Sequence, residues 1–221
     1  MTKLFILIIL GIMVKTVSAQ SSDSAKFLCG VSTVQYAGQI YHTVQIGNQC
    51  WLKENLNVGT MIPGIQDQAN RDRIEKYCHN DDPNTCSVYG GSYQWNEAMQ
   101  YDTTEKAQGI CPGGWHIPAK AEFEKLEVAV NNHGNSLKAI GQGSGDGAGT
   151  NTSGFSAVLA GNRTNGGGDS NFGYSADFWT STVLDGDNSP LYFSGLYYNE
   201  NWMQFTKTNK REAFSVRCVK D

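Results

Sequence analysis

Four histidines, six cysteines and several clustered acids are the residues of this 221-residue chain with types suited to chemistry. His42, His79, His116 and His133 are scattered without metal-ligand spacing, and neither a His-Glu-x-x-His helix nor a Gly-x-Ser-x-Gly elbow occurs. His116, beside Trp115, has the chemistry of a general base, but a hydrogen-bonded structural histidine is the stronger reading. Glu122, Glu124 and Glu127 share one helical stretch opposite an apolar stripe, the pattern of a solvated face. Glycoside hydrolysis normally needs a carboxylate pair across a groove, and the sequence reveals none. No catalytic residue, and no enzyme, is expected.

The cysteines have a different use. Six in an exported chain point to three disulfides, of fifteen possible pairings, and no Cys-x-x-Cys spacing favours zinc. Cys78 and Cys86 bracket the polar loop His79 to Thr85, and Cys29 and Cys50 share an N-terminal β region. That leaves Cys111 with Cys218, which ties the centre of the chain to its C-terminal segment.

What remains is a candidate binding surface. Tyr197, Tyr198 and Trp202 surround Asn199-Glu200-Asn201, close to the turn Asp185-Gly186-Asp187-Asn188. Aromatic faces beside amides and carboxylates suit sugar rings or a protein partner. The predicted binding set is Trp202, Tyr198, Asn199, Asn201, Asp185 and Asp187. On a strand Tyr197 and Tyr198 point to opposite sides, so one of them is expected in the core, and Trp202 suits either place. Asp185 to Asn188 and Asp146-Gly147 offer oxygen ligands, but short acidic turns are common without metal. No metal and no cofactor are expected, calcium being the lesser alternative.

These residues need elements to position them. Residues 1–19 resemble a secretory signal, with Lys3, an apolar run from Leu4 to Val14 and a small-residue site Val17-Ser18-Ala19. The run is too short for a permanent membrane span. The mature protein is expected to start at Gln20, with a polar leader over 20–28 and one domain over 29–221. Without the signal's two lysines, Lys3 and Lys15, the formal charge of −4 becomes −6, which argues against nucleic acid. Low proline, abundant glycine and many aromatics fit a loop-rich, mainly β architecture.

Alternation from Val31 to Leu56 predicts a β meander with turns at Ala37-Gly38 and Gly47-Asn48. Residues Gly59 to Lys76 read as a long excursion. A first helix is expected after a Ser92 cap, carrying Trp95, Ala98 and Met99, and a second from Pro118 to about Asn131, with Phe123, Leu126 and Val130 at helical spacing. The glycine-rich run Gln142 to Gly149 must be a loop. Short apolar runs at Phe155–Leu159, Phe178–Val183, Leu191–Tyr198, Trp202–Thr206 and Ala213–Val219 then predict a small antiparallel sheet. The predicted fold class is α+β: small antiparallel sheets, two helices, long surface loops and disulfide staples.

The motifs in order resemble a known family. Val44 to Asn57 (VQIGNQCWLKENLN) is similar to the opening signature of the Fibrobacter succinogenes major paralogous domain. Tyr77-Cys78 with Cys86, Tyr89-Gly90-Gly91, Trp95 with Ala98-Met99, and Cys111-Pro112-Gly113-Gly114-Trp115-His116-Ile117-Pro118 follow in the family's order. Gly154 to Ala157, Phe178 to Ser181 and Phe214 to Asp221 complete it. The resemblance implies a relative of C-type lectin-like and formylglycine-generating-enzyme folds, on exported bacterial proteins without an agreed activity. Cys50 departs from the family pattern and makes the Cys29 link an added staple. The oxidase-like relatives need a reactive C-terminal cysteine pair, whereas Cys218 stands alone here. The lectin-type Glu-Pro-Asn and Trp-Asn-Asp triplets are missing too.

The expected function is a non-enzymatic, exported interaction module, periplasmic or at the cell surface, that binds an envelope protein or a glycan. The alternatives are a polysaccharide-acting enzyme and a structural subunit of an envelope assembly. Asp23-Ser24-Ala25 and Asp102-Thr103-Thr104 are similar to the short Asp-Ser/Thr acceptor for O-glycosylation used in the phylum where the family is common. Ser24 and Thr103 are the predicted sites.

Overall fold

The computed structural model describes residues 26–184 and 191–221. The stretch expected to be a signal, most of the expected leader with Ser24, and the segment with Asp185 and Asp187 lie outside the described residues.

The N-terminal alternation forms three antiparallel strands, β1 (Thr33–Tyr36), β2 (Gln39–Ile46) and β3 (Gln49–Leu52). The inner face of β2 begins with Tyr41 and Thr43, while Ile40 stays 61% exposed. The C-terminal strand β14 (Val219–Lys220) lies beside β3, and β7 (Trp115–His116) closes this five-stranded sheet. The Leu52 N–H donates to the Cys218 carbonyl, so the third strand and the last are joined across most of the chain. Cys111–Cys218 crosslinks the same seam, Cys29–Cys50 staples the meander, and Cys78–Cys86 closes a local loop. These are the three pairings expected from sequence.

The second sheet has the order β12 (Met203–Thr208), β11 (Leu191–Tyr197), β10 (Ser175–Val183), β13 (Ala213–Ser215), β8 (Asn162–Arg163) and β9 (Asp169–Ser170), with β6 (Ser92–Gln94) also on β13. All its pairings are antiparallel except β10 with β13. Seven successive residues of β10 are buried, because the strand separates two cores. Trp179 joins Trp95, Phe193 and Phe214 on one side; Phe178 joins Trp51, Phe123 and Phe155 on the other. A strand covered on both faces reads as a continuous apolar run rather than an alternation.

Three α-helices occur among the described residues, where two were expected. The clear one, α3 (Lys120–Ala129), buries Phe123 and Leu126 against Trp51 and its neighbours. The helix expected after Ser92 starts later and is short: Ser92–Gln94 are strand, paired with Ala213–Ser215, and α2 (Trp95–Ala98) forms the helical part. The long-range ladder engages backbone groups that a helix would have used internally. In the supposed polar loop, α1 (Pro83–Tyr89) starts on Pro83 with the Asp82 side chain accepting from the Asn84 N–H at 2.9 Å. Residues 155–159 form no strand, only an isolated bridge from Ala157 to Lys138. The excursion over Gly59–Lys76 includes a short parallel pair, β4 (Thr60–Met61) and β5 (Glu75–Lys76). The fold is mixed and mostly sheet. No helix among the described residues is long and apolar enough to cross a membrane.

Candidate functional site

The turn joining β11 to β12 carries the predicted aromatic cluster. Lys138 is fully buried, and its Nζ donates to the carbonyls of Tyr197 and Glu200, both at 2.7 Å. The Ser144 N–H reaches the Tyr198 carbonyl at 2.7 Å, and the Gly134 N–H reaches that of Asn201 at 2.6 Å. Four turn carbonyls thus have donors from the segment 134–144. Two glycines make that approach possible. A Cβ on Gly134 would sit 2.9 Å from the Trp202 carbonyl carbon, and one on Gly147 only 2.3 Å from the Tyr198 oxygen. Burial pushes the Lys138 amine down to about 8, partly opposed by Glu200, so it is cationic below that pH.

With its backbone held from behind, the turn presents its side chains outward. Asn199 and Asn201 are exposed and Trp202 is 48% exposed. Tyr198 is half-buried and meets the exposed Tyr174 edge-on, with ring centroids 5.0 Å apart. Tyr197 is half-buried on the strand opposite Ser175, so neither tyrosine is a full core residue. Burial, with Asp177 and Glu200 nearby, raises the Tyr197 hydroxyl to about 12. The structure therefore brings Trp202, Tyr198, Asn199 and Asn201 together and adds Tyr174, which the sequence reading missed. The lone Lys138 between Leu137 and Ala139 was a visible signal: a charge in an apolar run needs a buried partner.

Other chemistry-bearing residues are occupied. His116 Nδ1 meets Asp221 at 2.6 Å and Nε2 meets Glu122 at 3.0 Å, so neither ring nitrogen is free to act as a base. Burial opposes charge on His116, but the two carboxylates outweigh it and raise its pKa. Burial would likewise raise Glu122; hydrogen bonds from His116 and the Ala119 N–H instead hold it at about 2. Glu122 is buried, a correction to its expected place on a solvated face. His42 pairs with Glu54, and His79 stacks on Phe172 at 3.8 Å. His133 is exposed.

The fold also assembles two buried carboxylates invisible to sequence spacing, Glu75 and Glu97. Glu75 is bound by Arg71 and Arg73, while Glu97 accepts from the Glu75 N–H at 2.8 Å and from Tyr101 at 2.9 Å. Burial raises the Glu97 pKa. Among the described residues, no group of three or more His, Cys, Asp or Glu side chains could hold a metal. Thr103 is exposed.

A family model described as the Fibrobacter succinogenes major domain matches residues 44–220. No curated protein and no solved structure matches the chain.

Proposed function

Because this chain belongs to the Fibrobacter succinogenes major domain family, we propose that it is an exported, non-enzymatic interaction module of the bacterial envelope or surface that grips a protein or glycan partner through Tyr174, Tyr198 and Trp202. One observation carries this reading: a half-exposed indole sits on a turn whose carbonyls are tied down from behind, by Lys138, Ser144 and Gly134. A preordered aromatic anchor loses little entropy on binding. The three disulfides support export, since such bonds persist in oxidising compartments. The pairing of β3 with β14, next to a mixed sheet packed against α3, supports a C-type lectin-like reading of the fold. Calcium is not required by this reading.

The test is capture of partners from the native envelope by the mature protein and by Trp202→Ala. The variant should lose the captured material while keeping its melting temperature within a few degrees. Capture unchanged in the variant sinks the proposal. The enzyme alternative would look to Glu97 beside a pocket of about 210 Å3, but both of its oxygens already serve the fold. O-glycosylation at Ser24 and Thr103 is part of the same proposal. Intact mass of protein from its own host would exceed the unmodified chain if either site is used, and an unmodified mass removes both.

A further inference from the structure

A second site lies away from the aromatic turn. A pocket of about 350 Å3 opens between the β2–β3 hairpin, α1 and the segment around Ser156–Val158. That volume is in the range of small-ligand sites, roughly 300–1,000 Å3. Its lining includes the buried Arg217. The guanidinium donates to Asn55 Oδ1 from Nε at 3.2 Å and from Nη2 at 2.8 Å, and from Nη1 to the carbonyls of Leu52 and Phe155. Four of five N–H groups are thereby used, and one Nη2 hydrogen has no partner among the described residues. All of its acceptors are neutral; no carboxylate among the described residues pairs with it. Glu54 acts on this charge through space without a direct ion pair, and the Phe155 ring lies 4.5 Å from the guanidinium. A buried cation with no direct ion-pair partner is still costly, which a bound anion would relieve.

The walls fit that charge. Lys53 lines the pocket and has no ion-pair partner among the described residues. The Glu54 carboxylate, the only acid on the wall, is taken up by His42, accepting from its backbone N–H and facing Nδ1, both at 2.8 Å. Ile40 and Val88, 61% and 68% exposed, add apolar surface from β2 and α1. Gln39, Asn57 and Ser87 supply amides and a hydroxyl. An anion with an apolar ring face and several hydroxyls matches this combination better than a bare ion does.

We propose that the pocket binds a uronic-acid unit of an acidic glycan, its carboxylate received by Arg217 and Lys53. The apolar face of the sugar ring lies against Ile40 and Val88, and its hydroxyls meet the amides and Ser87. Titration of the mature protein with sodium glucuronate, followed by calorimetry or amide chemical shifts, tests this. Saturable binding is expected, with glucose and acetate each weaker by about tenfold or more. Val88→Glu places a negative charge at the pocket on an exposed helix position and Lys53→Glu reverses one at its wall. Each should weaken glucuronate about tenfold at unchanged melting temperature. Trp202→Ala should leave this binding intact, so failure here is distinguishable from failure of the aromatic face. Absence of saturable binding, acetate binding as tight as glucuronate, or indifference to both variants overturns the proposal.

Discussion

The β3–β14–β7 seam and the Tyr197–Trp202 turn are both rigid, but by different physics. At the seam a disulfide spanning 107 residues joins Cys111 to Cys218, and His116 sits between the carboxylates of Glu122 and Asp221. There a crosslink and an ion-paired histidine add side-chain restraint to the backbone ladder, so these side chains are committed to the fold. At the turn the restraint falls on backbone carbonyls, through Lys138, Ser144 and Gly134. The side chains of Asn199, Asn201 and Trp202 are therefore exposed while their positions are set. A binding face is better built in the second way, because order is obtained without consuming the groups that recognise.

The largest expected effect attacks the seam. Replacing both Cys111 and Cys218 by Ala should cost about 4–5 kcal/mol, as closure of a roughly 100-residue loop implies. Urea midpoints measure it; a loss below about 1 kcal/mol would show that the seam's hydrogen bonds suffice. Lys138→Met attacks the turn by leaving two inward carbonyls unpaired, for about 2–3 kcal/mol. Amide exchange should then quicken across 197–202 but not at β3 or β14. Equal quickening in both regions would abolish the contrast between them.

A smaller effect follows from pH. The raised His116 pKa gives stability that is full below its ordinary 6.5 and lost as pH rises through the folded value. The lowered Glu122 pKa gives stability present above its ordinary 4.5 and lost as pH falls toward about 2. The seam should therefore be tightest between these two ordinary values, by on the order of 1 kcal/mol. His116→Gln should flatten the alkaline limb of a stability–pH profile; a limb that persists assigns it elsewhere. Smallest of all, Trp202→Ala should cost less than about 1 kcal/mol, against roughly 3–5 for a core tryptophan. A larger loss would make Trp202 packing rather than recognition.

Local signals carried a good part of this fold. The meander over 31–56, the apolar spacing of α3 and the three crosslinks were legible because each rests on near neighbours or on counting. Ser92–Gln94 misled because its partner, Ala213–Ser215, lies over a hundred residues away, and a cap signal has no knowledge of that ladder. Phe155–Leu159 misled because its residues pack singly into a core without a neighbouring strand. For the candidate site, Trp202, Tyr198, Asn199 and Asn201 were adjacent in sequence and so visible together.

Sequence by itself determined the disulfide framework, the predominance of sheet, the family resemblance over most of the chain and the aromatic turn, since composition, spacing and motif order encode these directly. Only the tertiary structure decided which side chains remain available. It placed Lys138 under the turn, set His116 between two carboxylates, added Tyr174 beside Tyr198, and buried Arg217 with one donor unspent beside a pocket. Those outcomes depend on contacts between segments tens to more than a hundred residues apart, where burial and hydrogen-bond partners, rather than residue type, decide what a group can do.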